Sequence, residues 1–198
     1  TDIHTKTAAE VYHVPLDDVT KEQRRRAKVV NFGVLYGMSQ HGLAAAANMS
    51  FVEAQKFIDE YFKVRPHVRK YLDDTIKKAH DDGFVETMFG RRRWTPDVKS
   101  SNFVVRSSAE RAAANMPIQG TEADLMKMAM IQVQANIDQQ FKGAEQLLQI
   151  HDSILVECPR EMAERISTML VETMENIYPE LGGRLQVDVH TGNNWGEV

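Results

Sequence analysis

Two consecutive segments with helix-start and helix-stop residues constrain the fold of this chain more than any other feature. In SFVEAQKFIDEYFKV, residues 50–64, apolar side chains recur near the helical period behind Ser50, a typical N-cap residue. The next segment, PHVRKYLDDTIKKAHDDG, begins with Pro66 and closes with Gly83. Helices accept proline at their first position and glycine just past their end. These signals predict that the N-terminal part of the chain is built from packed helices.

Strand patterns in the chain are short. Residues 84–97 start with FVETMFGRRRWTP, which is typical of a short strand, a glycine turn and a basic second strand. Residues 146–158, QLLQIHDSILVEC, place apolar strands on either side of HDS, so we expect a second hairpin. RLQVDVH, residues 184–190, alternates apolar and polar side chains and predicts a last strand.

The order of all the predicted elements indicates the α+β class. A mostly helical region, residues 1–100, is followed by residues 101–198, where a small antiparallel sheet is backed by helices. Further helices are predicted at residues 2–14, with Asp2 as N-cap, at residues 24–37, at residues 101–140, broken at Pro117, and at residues 159–178.

Cysteine content and hydropathy argue against an internally disulfide-bonded protein and against a membrane-spanning one. Cys158 is the single cysteine among 198 residues, so an internal disulfide is impossible and a reducing, intracellular setting is expected. No apolar run approaches the length of a membrane span. With 42% hydrophobic residues, the chain is long enough to bury a real core.

Charge is distributed unevenly along the chain. Residues 1–118 carry 19 Lys and Arg against 15 Asp and Glu, a balance of +4, whereas residues 119–198 carry 5 against 13, a balance of −8. One part could bind phosphates while the other holds divalent cations. Two ordinary solvated surfaces would give the same numbers, so this observation leaves both interpretations open.

Cations and aromatic rings share one stripe of the predicted helix RRRAKVVNFGVLYG. Arg24, Lys28, Phe32 and Tyr36 are four residues apart and form a slowly winding stripe, about 18 Å long at 1.5 Å per residue. We call these four residues the basic–aromatic stripe. A nucleoside triphosphate has the matching polarity, with phosphates at one end and a sugar and a flat base at the other. An amphipathic helix with a basic exposed face and aromatic residues in the core is the alternative interpretation.

Two glycines interrupt the same helical pattern. Gly33 and Gly37 each cost roughly 1 kcal/mol against alanine in a helix interior. We expect such a cost only where another backbone or a base must come close.

The whole run closely resembles the nucleotide-binding helix of family A DNA polymerases, the bacterial DNA polymerase I family. Arg24, Lys28, Phe32, Tyr36 and Gly37 match the family pattern position by position. Further segments resemble the family in the same order and cover essentially all 198 residues: DIHTKTA, ETMFGRRRWTPD, ERAAANMPIQGTEADLMKMAM, LLQIHDSILVECP and NNWGEV.

The resemblance implies both a place in a larger enzyme and a reaction. Residues 1–100 would be the fingers, with the triphosphate helix at 24–37 and the basic hairpin at 84–97, and residues 101–198 the C-terminal part of the palm. The reaction would be DNA-templated DNA synthesis in replication and repair, in which the nucleotidyl group of a dNTP is transferred to a primer 3′-hydroxyl, with release of pyrophosphate, by a two-metal mechanism that uses Mg²⁺. Primer–template DNA and the upstream palm and thumb segments would be partners, in a cytoplasmic, nucleoid-associated setting.

The resemblance also assigns roles to single residues. Lys28 would bind the triphosphate and act as general acid, and Asp152, at the tip of the second predicted hairpin, would bind the metal. The implied nucleotide-binding residues are His4, Arg24, Lys28, Phe32 and Tyr36. The implied DNA-binding residues are Arg111, Asn115, Gln119, His151, Arg91 and Arg92.

Two departures from the family pattern weaken the case for an autonomous enzyme. The family's other essential aspartate precedes the first helix and has no counterpart here, and Ser153 stands where the family has glutamate. We therefore expect an inactive fragment. The main alternative is a non-catalytic module that binds primer–template or single-stranded DNA, and a helical protein unrelated to nucleic acids is a remote one. These residues also have a purely structural interpretation, in which Asp152 is an ordinary turn residue and Asn115 and Gln119 form hydrogen bonds with local backbone groups.

Overall fold

The computed structural model of the chain describes residues 2–35 and 37–198. Tyr36, which the sequence assigns to the base pocket, lies outside the described residues. The helices are α1 (Ile3–Tyr12), α2 (Lys21–Leu35), α3 (Gln40–Ala47), α4 (Phe51–Val64), α5 (Pro66–Asp82), α6 (Phe103–Gln140) and α7 (Ala163–Glu175). The strands are β1 (Phe84–Glu86), β2 (Arg92–Trp94), β3 (Glu145–Ile150) and β4 (Ser153–Glu157). The mostly helical α+β class is thereby confirmed.

The predicted helix caps are present. Asp2 accepts a hydrogen bond from the Thr5 amide at 2.9 Å and so begins α1. Ser50 and Glu53 form a capping box at the start of α4, each side chain accepting from the other residue's amide. Gly83 follows α5 with φ of 76°, in the left-handed region that favours glycine. These local signals fix where the helices of the first half begin and end.

Both predicted hairpins are confirmed. β1 pairs with β2 in antiparallel register from Phe84 opposite Trp94 to Glu86 opposite Arg92. β3 pairs with β4 from Glu145 opposite Glu157 to Ile150 opposite Ser153, with a bulge between Gln146 and Leu148. Each hairpin forms a separate two-stranded sheet.

The predicted helix break at Pro117 is wrong. α6 runs without interruption from Phe103 to Gln140, with the proline inside it. An interior proline costs about 3 kcal/mol, because it removes a backbone hydrogen bond and crowds the preceding turn. Ala113 is buried on one side of Pro117 and Leu125 on the other. Burial of the helix on both sides of the proline offsets that cost.

The predicted last strand is wrong as well. Residues 184–190 form no strand, although their apolar side chains are half-buried and their polar ones exposed in strict alternation. Glu175 at the end of α7 binds this segment, since its carboxylate accepts from the Val187 amide at 3.2 Å and from Arg184 at 3.1 Å. The segment is therefore held at the end of α7 and joins no sheet, and Asp188 is exposed.

The chain divides into two compact units, Thr1–Gln119 and Gly120–Val198. α6 belongs to both of them, and the functional division predicted after residue 100 stays a prediction. In the first unit α1, α2 and α4 pack around a core whose centre is formed by small and aromatic side chains. Fully or nearly fully buried members are Ala8, Ala27, Val30, Leu43, Ala54, Phe57 and Tyr61.

The second unit has its own core between α6, α7 and the second hairpin. Val133 and Ile137 of α6 pack with Ile166 and Leu170 of α7, and Ile154 of β4 covers them. The hairpin that carries Asp152 is thus anchored to two helices by its apolar side chains. Across the described ranges, every helix falls short of the length or apolar character that a bilayer-spanning segment requires.

The capping box of α4 gives a direct test of the first unit. Ser50→Ala should lower the free energy of unfolding by about 1 kcal/mol, because it removes the side-chain acceptor at the helix start. Ser108→Ala is the matched control, since Ser108 is exposed inside α6 and has no hydrogen-bond partner among the described residues. Urea unfolding should show the control unchanged or slightly stabilised; equal losses would mean that the cap contributes nothing.

Candidate nucleotide and DNA-binding residues

The start of α1 lies along the basic–aromatic stripe of α2. Asp2 binds Arg24 near one end of the stripe, and the ring of His4 lies 5.7 Å from the ring of Phe32, tilted by 44°. Lys28 is one helical turn from both Arg24 and Phe32. The structure therefore brings together four of the predicted nucleotide-binding residues, although His4 is far from the others in sequence.

Arg24 already has an acidic partner. Its Nε donates to Asp2 Oδ2 at 2.9 Å and its Nη2 donates to Asp2 Oδ1 at 3.3 Å. Asp2 also accepts from the Thr5 hydroxyl at 2.7 Å. Hydrogen bonds from Thr5 and then from Arg24 hold the pKa of Asp2 well below its usual range. A phosphate that bound Arg24 would compete with this carboxylate.

The next two arginines are paired too. Arg25 and Arg26 both donate to Glu22 Oε1, at 2.7 Å and 3.0 Å. The hydrogen bond from Arg25, and then that from Arg26, lowers the pKa of Glu22 to about 2. Lys28, by contrast, is exposed and has no acidic partner in the part of the chain that the structure describes. Of the cations at positions 24–28, Lys28 is the one whose charge no carboxylate of the described residues compensates.

Phe32 points away from the core of the first unit. Its side chain is 51% exposed, whereas Ala27 and Val30 on the other face of α2 are buried. The alternative interpretation, in which the aromatic residues of the stripe fill the core, is wrong for Phe32. An exposed ring beside His4 offers an apolar surface to a sugar.

Gly33 and Gly37 leave room for neighbouring side chains. A methyl group at Gly33 would lie 2.7 Å from Met38 Sδ, and one at Gly37 would lie 2.5 Å from Arg111 Cγ. Gly37 follows the helix instead of lying inside it, with φ of 66°. The Met38 amide donates to the Gly33 carbonyl at 2.8 Å, the bond of a Schellman motif.

Arg111 begins a row of predicted DNA contacts on α6. Its guanidinium donates to Ser107 Oγ at 2.7 Å while its stem covers Gly37. Asn115 and Gln119 follow at intervals of four on the same uninterrupted helix, and neither side chain has a hydrogen-bond partner within the described ranges. The hydrogen bonds to local backbone groups that the purely structural interpretation requires are therefore not formed within the described ranges.

The arginines of the first hairpin differ in the contacts that they make. Arg92 lies 4.3 Å above the ring of Phe84 and donates to Glu86 at 3.4 Å, so the predicted DNA contact is held by its own strand partner. The Arg91 amide donates to the Thr87 hydroxyl at 3.1 Å and closes the turn.

Arg93 follows the two arginines that were named as DNA contacts in this hairpin, and its surroundings differ from those of Arg92. It is exposed, it faces Val85 across the hairpin and, among residues 2–35 and 37–198, it has no acidic partner. The strand register accounts for this difference, since it places an acid opposite Arg92 and an apolar residue opposite Arg93.

Asp152 lies at the exposed tip of the second hairpin. His151 before it adopts φ of 53°, a left-handed conformation in a two-residue turn, and its carbonyl accepts from the Gln149 amide side chain. Ser153 Oγ donates to the Ile150 carbonyl at 2.9 Å. Ser153 thus fastens the turn that presents Asp152, a structural contribution that a metal-binding glutamate would not make in this way.

The carboxylates of the described residues do not gather into a metal centre. No group of three or more His, Cys, Asp or Glu side chains there could hold a metal ion. Asp152 offers the hard oxygen that Mg²⁺ prefers, but a single carboxylate does not fit a dinuclear site.

Comparison with known proteins gives a consistent result. The family model described as DNA polymerase family A matches residues 1–197. The chain is 45% identical to DNA polymerase I of Bacillus caldotenax and to the thermostable DNA polymerase I of Thermus aquaticus, each over 98% of this chain and 22% and 23% of the relative. It is 46% identical to DNA polymerase I of Caldicellulosiruptor bescii over 100% of this chain and 23% of the relative.

A solved structure is similar in fold. The polymerase domain of Pol1 from M. smegmatis, solved in complex with DNA primer-template and dNTP, superposes with a TM-score of 0.82 and is 42% identical. The match covers 90% of this chain and 31% of that one. The chain spans less than a quarter of the length of the curated relatives named above.

The contact between Gly37 and Arg111 can be tested with a matched pair of glycines. Gly37→Ala and Gly83→Ala both place alanine at a left-handed φ, which costs about 1–2 kcal/mol. Only at Gly37 does the added methyl meet a neighbour, since nothing lies within 4 Å at Gly83. Gly37→Ala should therefore cost roughly 1 kcal/mol more in urea unfolding. A second change, Arg111→Ala, should recover that difference; equal costs for the two glycines would contradict the contact.

Proposed function

The chain belongs to DNA polymerase family A, and from that membership we propose that it forms the fingers and the C-terminal palm part of a DNA-templated DNA polymerase. Such an enzyme transfers nucleotides from dNTP to a primer 3′-hydroxyl, in replication and repair. One observation carries the proposal. Lys28 is exposed and lacks an acidic partner among the residues described, beside arginines that are all paired and one turn from an exposed Phe32.

The basic–aromatic stripe would bind the incoming triphosphate. Lys28 would neutralise phosphate charge and give its proton to the leaving pyrophosphate as general acid. Arg24 would release Asp2 and bind a phosphate in its place. His4 would donate a hydrogen bond to another phosphate oxygen. Phe32 would pack against the sugar, and Tyr36 would stack against the base.

The two units would contribute different contacts to primer–template DNA. On α6, Arg111, Asn115 and Gln119 would donate to minor-groove acceptors, which occupy similar places in every correct base pair. His151 would act in the same way from the second unit. Arg91 and Arg92 would contact phosphates without regard to sequence.

Asp152 would supply one ligand to a pair of Mg²⁺ ions. When bound, such ions stabilise the attacking and leaving oxygens of an in-line displacement. The other carboxylates would come from the upstream palm segment that the resemblance implies. A lone carboxylate is also what favours the second candidate, a non-catalytic module that binds primer–template or single-stranded DNA.

Triphosphate binding separates these proposals from a nucleic-acid-independent role. Lys28→Ala should raise the triphosphate dissociation constant of the 198-residue chain about tenfold, the effect of losing one charge-assisted contact, and leave duplex affinity nearly unchanged. Lys56→Ala on α4 is the matched control, because Lys56 is likewise exposed and has no acidic partner in the described part of the chain. Fluorescence titration with a labelled dNTP measures the dissociation constants of both variants. Equal increases for Lys28→Ala and Lys56→Ala would place the triphosphate elsewhere.

Primer extension separates catalysis from binding. The 198-residue chain with Mg²⁺ should not extend a primer, since one carboxylate cannot fix two ions in the geometry that in-line attack requires. Joining it to the upstream palm and thumb segments of a family A polymerase should produce extension, and Asp152→Ala should abolish it. Asp152-dependent extension by the chain alone would overturn this account of the metal site. A joined chain that binds DNA but never extends would favour the non-catalytic module.

A further inference from the structure

A buried threonine connects α1 to two other elements. Thr7 is fully buried, and its hydroxyl lies 2.9 Å from Arg65 Nη2 and 3.1 Å from Asn31 Oδ1. A guanidinium can only donate, so Thr7 accepts from Arg65. The single proton of the hydroxyl is then donated to Asn31.

Asn31 accepts from Thr7 and donates to His4, so the donor-to-acceptor direction of the hydrogen bonds continues from Thr7 to His4. Because its Oδ1 accepts from Thr7, its amide nitrogen faces His4, with Nδ2 3.0 Å from His4 Nδ1. An amide nitrogen can only donate, so Nδ1 of the imidazole must be unprotonated. The neutral ring therefore carries its proton on Nε2, which has no hydrogen-bond partner among the residues that the structure describes.

Arg65 fixes the first donor of the series. The same Nη2 donates to Glu10 at 2.5 Å, and the guanidinium lies 4.7 Å from the centre of the Tyr61 ring. Arg65 is also the residue at which α4 ends and α5 begins. The direction of every following hydrogen bond thus starts from a partly buried ion pair at a helix junction.

We propose that Arg65, Thr7 and Asn31 form a hydrogen-bond relay that positions His4, holding its imidazole with the proton on Nε2 for donation to a triphosphate oxygen. The inference rests on the proposed function, which assigns His4 to the triphosphate. The opposite tautomer would turn a lone pair toward an anion and repel it. Thr7 and Asn31 are positioning residues in this scheme, because they act through His4.

The relay also explains two residues within the motifs that the proposed function leaves unused. Thr7 lies in DIHTKTA, three residues after His4, and Asn31 immediately precedes Phe32. Neither belongs to the basic–aromatic stripe. A purely structural role, in which the two side chains only join α1 to α2, would not depend on which imidazole nitrogen carries the proton. The tautomer of His4 therefore distinguishes the two roles.

Imidazole ¹⁵N chemical shifts of the 198-residue chain test the relay without any variant. At a pH where the ring is neutral, His4 should show a protonated Nε2 and an unprotonated Nδ1. A predominantly Nδ1-protonated ring would overturn the proposal. Asn31→Asp replaces the donor by an acceptor, so the proton should move to Nδ1 and the dNTP dissociation constant should rise about tenfold, the effect of losing one hydrogen bond to a charged group.

Two further variants complete the test. Thr7→Val removes the proton that orients Asn31, so both tautomers should appear and dNTP binding should weaken, whereas Thr7→Ser should behave as the original chain. Asn136→Asp is the matched control, because Asn136 is also a helical asparagine bonded to a threonine, Thr173, but lies in the other unit. It should change neither the His4 shifts nor dNTP affinity.

The outcomes separate the relay from the proposed function. If Lys28→Ala weakens dNTP binding but Asn31→Asp leaves the tautomer and the affinity unchanged, the relay is wrong and the proposed function stands. If Asn31→Asp moves the proton while neither it nor Lys28→Ala affects dNTP binding, the proposed function fails, and the relay loses its role in positioning His4 for a triphosphate.

Discussion

The close packing of α1 on α2 is the constraint on which the candidate nucleotide site depends. Small buried side chains, Ala8 on one helix and Ala27 on the other, allow the helices to approach closely. Their approach brings the polar start of α1 to the basic face of α2, where Asp2 meets Arg24 and His4 meets Phe32. Apolar packing of α1 on α2 thus determines which polar groups a ligand would meet.

Ion pairing inside the first unit decides which positive charges remain for a ligand. Arg24, Arg25 and Arg26 are all bound to carboxylates, and these pairs at the protein surface contribute little to stability because solvent screens them. Their larger effect is to order the arginines and to leave Lys28 as the uncompensated cation of that run within the described ranges. The net positive charge of residues 1–118 therefore does not show where an uncompensated cation lies, because many of the cations are paired with carboxylates.

Sequence and structure agree where short-range interactions decide the conformation. Helix caps at Asp2, Ser50 and Gly83 and the two hairpins follow from side chains within a few residues of each other, and all were predicted. The two errors share one cause. Whether a helix continues through Pro117, and whether residues 184–190 join a sheet, depends on packing with distant elements, which outweighs local preference.

The sequence by itself determined the composition of the candidate site: a basic–aromatic stripe at helical spacing, a histidine in the preceding motif and an aspartate between two apolar strands. Side-chain spacing on one helix is fixed by backbone geometry, so this much needs no tertiary information. Only the tertiary structure decided that Arg24 pairs with Asp2, that Gly37 makes room for Arg111, and that Arg65 directs Thr7, Asn31 and His4. Those contacts join residues 22 to 74 positions apart, and their formation depends on how the helices pack.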